Sequence, residues 1–256
     1  MHSSLRFEQR HQATSLVASS PRLPMVVQRP LRGPTGQAVL VLLTPAGALF
    51  EGDTIHLNVH CGPGCDVTLL TAAATKLNRC DHQPIRFTLE ASLAAGATLR
   101  CLPHELIPFP AARYRQRLSL SLEADSQATL LDVLTPGRSG QPFAYTRLDF
   151  ETEVRRHGQL ALRERFSLAE GVAARLGGHT HYGSLLLLDG TSRDPRAVAG
   201  SATQSLAQAG ACAAASALPA AAGIAIKMLG DSALEIRQAL LRAAGCPAWL
   251  RAFTPP

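Results

Sequence analysis

Three features of the sequence predict a mainly β fold made of stacked two-strand repeats, either β-helix-like or as layered sheets, with a small C-terminal α+β part. Apolar and polar residues alternate in short runs from Asp53 onward. A strand–turn–strand unit recurs about every 31 residues. After Gly171 that pattern gives way to a mixture of helical and strand-like segments. The predicted division is a β-rich body over residues 1–170 and a mixed α/β part over 171–256, packed on the body as one unit.

Leu5-Arg6-Phe7 alternates and reads as an entry strand, and Ser19-Ser20-Pro21 with Pro24 reads as a loop. Met25-Val26-Val27 is a short strand ended by Pro30, and residues 32–36 form a turn. Residues 38–43, AVLVLL, are continuously apolar, the pattern of a strand buried on both faces. Residues 44–47 close it. In 54–59, Ile55, Leu57 and Val59 share one face while Thr54, His56 and Asn58 share the other. Aligning Gly64, Gly96, Gln127 and Gly158 gives intervals of 32, 31 and 31 residues, with first strands at 85–89, 118–122 and 148–154. One such unit cannot bury its apolar face alone, whereas a stack can.

In the C-terminal part, 185–188 reads as a buried strand, 194–208 as a weak helix, and 211–217 and 222–228 as two strands joined near Pro219. Asp231 is placed as the N-cap of a helix over 233–244, which Gly245 and Pro247 end. Leu234, Arg237 and Leu241 share one side of that helix, with Ile236 and Leu240 adjoining.

Composition narrows the function. The 256 residues are 46% hydrophobic, enough for a sizeable core, but only 5% aromatic, with Trp249 the single tryptophan; that disfavours stacking sites for sugars or bases. The net charge of +6 comes almost wholly from arginine, since Lys occurs only at 76 and 227. The arginines are scattered as singles and pairs such as Arg155-Arg156, not the clustered basic stripe of a nucleic-acid binder. Six cysteines without a CxxC are too sparse for a disulfide scaffold. The polar N-terminus lacks a signal core and no apolar run reaches 18 residues. These features predict a cytoplasmic, soluble protein with reduced thiols and no membrane or nucleic-acid partner.

No nucleophile elbow, phosphate loop, dinucleotide fingerprint or HExxH is present, so a non-enzyme is expected. A β-helical carbohydrate-active enzyme would need clustered carboxylates and aromatic platforms; a basic binding module would need gathered arginines. Metal binding is more open. His60, Cys61, Cys65 and Asp66 cluster, Cys80-Asp81-His82 follows, and His179-Thr180-His181 presents two imidazoles on one face if it lies in a strand. Imidazole, thiolate and carboxylate suit borderline metals such as nickel, but the spacing supports only a weak, transient site. Lys76 and Glu105 each follow a strand-like run. They stand 29 residues apart, about one repeat, so that adjacent rungs would let them pair.

At these residues a family resemblance emerges. Thr71-Ala72-Ala73-Ala74-Thr75-Lys76 resembles the ATK segment of the urease accessory protein UreD (UreH) family, and residues 102–109, LPHELIPF, resemble its LPQE-x-I-x-F segment. Residues 27–31, VQRPL, and 44–53, TPAGALFEGD, match its early strand and following loop. Gly137-Arg138, residues 162–165 and Leu229-Gly230-Asp231 fall in family order. Ala46, Ala48, Glu51 and His104 depart from the family pattern. The resemblance implies a non-enzymatic maturation factor that binds apo-urease and, with a UreF-like protein and a UreG-like GTPase, delivers nickel to urease along an internal path, with no tightly bound cofactor. Carried over by position, Gly52, Asp53, Thr75, Lys76 and Glu105 are the most recognisable family positions. With the histidine pair, Asp53, His104, Glu105, His179 and His181 are the expected lining of a transient nickel route.

Overall fold

The computed structural model describes residues 3–189 and 194–251. The chain opens with a hairpin, β1 (Ser3–Arg10) and β2 (Ala13–Ser20), where the sequence suggested one strand and a loop. The hairpin escapes notice because its turn residues, His11 and Gln12, take left-handed φ of 47° and 62° without the Gly or Asn that normally marks such a turn. Next come β3 (Val26–Val27), β4 (Leu31–Arg32) and β5 (Ala38–Leu43).

The stacked units follow: β6 (Thr54–Cys61), β7 (Asp66–Thr71), β8 (Thr75–Leu77), β9 (Ile85–Leu93), β10 (Thr98–Cys101), β11 (Leu106–Pro108), β12 (Arg113–Leu122), β13 (Gln127–Leu134) and β14 (Arg147–Arg156). Successive first strands pair in parallel in one sheet and successive second strands in the other, so the body is a two-sheet coil of β-solenoid type. The step between rungs is not constant. Asp66 lies beside Thr98, a step of 32, and Thr98 beside Gln127, a step of 29. Arg113 lies beside Arg147, a step of 34. Pairing Gln127 with Gly96 is therefore two residues out of register. The left-handed turn position after Gly64 and Gly96, at φ 65° and 68°, is Asp125 at 55°, one of the few side chains that tolerate this region. The unit at Gly158 is not a rung at all: β15 (Gln159–Ala169) returns antiparallel beside β14.

The chain then runs through α1 (Val172–Arg175), β16 (His181–Asp189), α2 (Pro195–Gln208), β17 (Cys212–Ala217), β18 (Ile224–Gly230), α3 (Ala233–Ala243) and α4 (Ala248–Arg251). Strands β16, β18 and β17 extend the second sheet beyond β13, each antiparallel to the one before, giving a seven-stranded sheet facing an eleven-stranded one. α3 begins at Ser232, whose Oγ accepts the Glu235 N–H at 3.3 Å, and not at Asp231; Leu234 is exposed, while Ile236, Arg237, Leu240 and Leu241 are buried.

Alternation builds the core. Ile55, Leu57 and Val59, Leu89 and Leu93, and Leu118, Leu120 and Leu122 point inward from the first sheet and meet Val67, Leu69, Leu99 and Leu130 from the second. Each such side chain contributes about 2 kcal/mol of transfer free energy. The second sheet is also covered on its far face, where Val39, Leu70, Leu102, Leu131 and Leu185 pack beneath α2 and α3. This double burial explains the unbroken apolar run of β5. Helix α3 comes so close that a Cβ on Gly183 would sit 2.3 Å from Ile236 Cγ2. α2 lies along the outer edge of the sheet, and its Thr203 Oγ accepts the Ala215 N–H of β17 at 3.0 Å, capping that edge against further pairing.

Candidate functional site

Each rung has two dissimilar ends. One closes in a tight turn. At the other, the chain leaves the second sheet, makes an irregular loop and enters the first sheet again. These loops stack: Leu49 bridges to Leu77, and Leu77 pairs with Pro108 through β8 and β11. The stack carries all five family-motif positions. Gly52, at φ 80°, turns the chain so that Asp53 can close its own loop, accepting the Phe50 N–H at 2.8 Å. The Thr75 N–H donates to the Glu105 carbonyl at 2.9 Å, and Lys76 lies beside Ile107, exposed. Lys76 and Glu105 are on adjacent rungs, yet among the described residues no ion pair joins them. The Glu105 carboxylate lies instead beside His104, 3.8 Å from its Nδ1.

The loop after β10 is held by a helix. Arg237 of α3, only 3% exposed, donates to the carbonyls of Leu102, at 3.0 Å, and Pro103. From the other side the His104 N–H donates to Thr71 Oγ at 2.8 Å. His104 and Glu105 are thereby fixed between two rungs and α3. Burial pulls the Arg237 guanidinium down to about 10, opposed by the charge of Glu105, and it stays a cation at neutral pH. The neighbouring His104 ring, with help from the charge of Arg237, holds the Glu105 carboxyl below its ordinary value despite burial.

The second histidine pair arrives from β16. His179 and His181 do not share one strand face, because the strand begins at His181. Asp231, at the end of β18, gathers the segment: it accepts from the Thr180 N–H at 2.9 Å and the Thr180 hydroxyl at 3.0 Å, and contacts His179 Nδ1 at 3.3 Å. With its proton given to Asp231, the Thr180 hydroxyl accepts from His181 Nδ1 at 2.8 Å. That assignment leaves a lone pair on His181 Nε2. Burial lowers the His181 pKa, against the charges of Asp231 and Glu105, so the ring is neutral at pH 7. The fold thus brings His104, Glu105, His181, Asp231 and His179 to one neighbourhood. Asp53 sits in its own turn in the loop before β6.

Beneath the loops lies a cavity of about 80 Å³ lined by Thr71, Thr75 and His104 above and by Tyr114, Gln116 and Asp132 below. The Tyr114 hydroxyl donates to Gln116 Oε1 at 3.0 Å, and Gln116 Nε2 donates to both Asp132 oxygens at 3.0 and 3.1 Å. Burial pushes the Asp132 carboxyl up, while the Gln116 bond and the charge of Lys227 lower it. Lys227 in turn pairs with Glu164 at 2.7 Å and donates to Ser184 at 2.8 Å.

The other sequence candidates serve the fold. His60 faces Ser92 at 2.8 Å, Asp66 pairs with Arg100, and Cys61 and Cys65 are buried. Burial raises the Cys61 thiol to about 12, so it stays protonated and is a poor ligand. The Cys80 thiol donates to backbone carbonyls and Asp81 pairs with Arg79 at 2.7 Å. Among the described residues no three His, Cys, Asp or Glu side chains are arranged to hold a metal ion. Sequence reasoning missed Arg237 and Asp231 as site residues; the one signal for Arg237 was an arginine on the apolar side of its helix.

A family model described as UreD urease accessory protein matches residues 2–254. Similar proteins named "Urease accessory protein UreD" include one from Actinomyces naeslundii, 34% identical over 60% of this chain and 60% of that protein. Another, from Pseudomonas putida strain GB-1, is 33% identical over 70% of this chain and 65% of its own length. One from Klebsiella aerogenes is 31% identical over 73% of this chain and 70% of its own length. The match thus spans less than two thirds of the first two relatives. Among the described residues, no helix is long and apolar enough to cross a membrane.

Proposed function

We propose, on the premise that this chain belongs to the UreD urease accessory protein family, that it is a non-enzymatic urease maturation factor of the cytoplasm. It binds apo-urease and, with UreF-like and UreG-like partners, relays nickel to the urease active site. The observation that carries this reading is the family match over residues 2–254. The geometry of the loop end supports it. An ionised carboxylate at Glu105, the His104 ring and a neutral imidazole at His181 lie near one another without forming a closed ligand set among the described residues. Nickel, the cargo, would be held by one or two groups at a time and released onward, which suits a relay better than a storage site. The largely apolar cavity beneath offers two polar groups further inward, Gln116 and Asp132. The charge of Arg237 limits how tightly Glu105 can hold a cation, which favours release.

The test is a pull-down of apo-urease by this protein with and without a UreF-like partner, followed by the nickel content of urease matured with and without it. Capture of apo-urease, and nickel-poor urease in its absence, are expected. Normal nickel loading without this protein, with UreF-like and UreG-like proteins ample, would overturn the reading. Glu105→Ala is expected to lower nickel loading in a protein that remains folded; Lys76→Ala tests whether the exposed cation beside it also takes part.

A further inference from the structure

The arginines that look scattered along the chain are gathered by the fold on the solvent face of the seven-stranded sheet. Parallel register places Arg86 beside Arg115 and Arg115 beside Asp149; one row further, Arg117 lies beside Glu151 and Glu151 beside Arg165. Arg147 begins β14, and Arg163 lies two residues before Arg165 on β15. The six guanidinium groups line or flank a shallow groove on the outer face across β9, β12, β14 and β15. Four strands at about 4.8 Å spacing make it roughly 14 Å wide.

The two rows hold two carboxylates, both low in the surface, and the next row, which ends in Arg163, adds Glu153 and Glu90. The Asp149 and Glu151 side chains are 24% and 21% exposed, against 64% for Arg115, 58% for Arg147 and 60% for Arg165. Glu151 accepts from Arg165 at 2.7 Å and Arg163 at 3.1 Å; Asp149 accepts from Arg147 at 2.8 Å. Arg86 and Arg117 hold no ion pair among the described residues. An approaching molecule therefore meets guanidinium edges, several already aligned on carboxylates.

We propose that this face is a docking surface for an acidic patch of a partner protein. The face is complementary to anions, and arginine forks suit carboxylates and phosphates alike; the layout of the face is what favours carboxylates. The cations are all arginine, whose planar fork matches a carboxylate with two parallel hydrogen bonds. A nucleic-acid backbone fits less well: Asp149 and Glu151 interrupt both rows within one strand spacing of any phosphate, and a groove this compact offers no extended basic track. The surface is on the opposite face of the sheet from Tyr114 and Gln116, which point inward to the cavity.

The experiment measures binding of poly-L-glutamate, and of oligothymidylate of equal charge, to the full chain at about 0.1 M salt. The triple variant Arg86→Gln/Arg115→Gln/Arg117→Gln is expected to bind polyglutamate about tenfold more weakly and with a smaller salt dependence. The matching triple lysine variant, which keeps charge and loses the forks, is expected to fall between the two. All three side chains point to solvent, and an unchanged thermal midpoint verifies the fold. Binding by the glutamine variant within about twofold of the parent overturns the proposal, as does tighter binding of oligothymidylate than of polyglutamate. Nickel loading of urease is not read in this assay, so its result stands apart from the relay reading.

Discussion

The two ends of the same rungs obey different rules. At the turn end, Gly64, Gly96 and Asp125 repeat one left-handed turn, and the Gly64 N–H donates to the Ala95 carbonyl as the Gly96 N–H does to that of Ala124. Backbone bonds alone join these turns, and only the third adds side chains, with Ser126 Oγ donating to the Glu123 carbonyl and Arg156 donating to those of Glu123 and Ser126. At the loop end, order comes from side chains that reach across: Thr71 to His104, Arg237 to Pro103, Asp231 to Thr180. Regular backbone stacking carries most of one end. That leaves the other free to vary in length, and its geometry is set by a few long-range polar contacts, which is where chemistry can be placed.

This contrast can be broken in order of size. Arg237→Ala removes the donor from two buried carbonyls and is expected to cost about 3 kcal/mol, seen as a lower urea midpoint with faster hydrogen exchange around 102–105. Gly96→Ala should cost about 1 kcal/mol, because only the left-handed backbone is strained and no atom lies near the new methyl's side except the neighbouring Gly64 backbone, 3.9 Å away. If it costs as much as Arg237→Ala, the turn end is not the simpler of the two. Asp132→Asn is expected to stabilise by about 1 kcal/mol at pH 7. Its parent carboxyl is raised by burial, so stability is lost as pH rises above the ordinary aspartate value; the advantage of the variant must therefore grow from pH 4 to pH 7. Glu105 has the opposite sign. Its carboxyl is held low, so its contribution is present above the ordinary glutamate value and lost as pH falls through the folded one; Glu105→Gln should flatten the acid limb of the stability profile. Lys76→Ala, exposed and unpaired with Glu105, should shift stability by no more than about 0.5 kcal/mol.

Much of the fold was legible in the sequence because strand alternation and glycine turns are local signals. The run 38–43 announced a doubly buried strand, and 54–59 a half-buried one. What local pattern could not supply was register. Asp125 takes the glycine conformation through its own side-chain chemistry, and a step of 29, 32 or 34 residues leaves the same hydrophobic pattern. The hairpin turn at His11-Gln12 carried no turn signature. The site was partly legible as residue types. Thr75, Lys76 and Glu105 stood out by position, but the partners that orient Glu105 and His181 come from β18 and α3, more than a hundred residues from Glu105 and about fifty from His181.

The sequence by itself therefore determined the class of fold, the face of each strand that turns inward and the family to which the chain belongs, because these follow from alternation and short ordered motifs. The tertiary structure alone decided which distant groups meet. It set Arg237 under the His104–Glu105 loop and Asp231 against Thr180, withheld Lys76 from Glu105, and assembled scattered arginines into one face. The physical reason is that parallel stacking converts a spacing of about thirty residues into a lateral step of about 4.8 Å, so residues unrelated in the chain become neighbours only once the register is set.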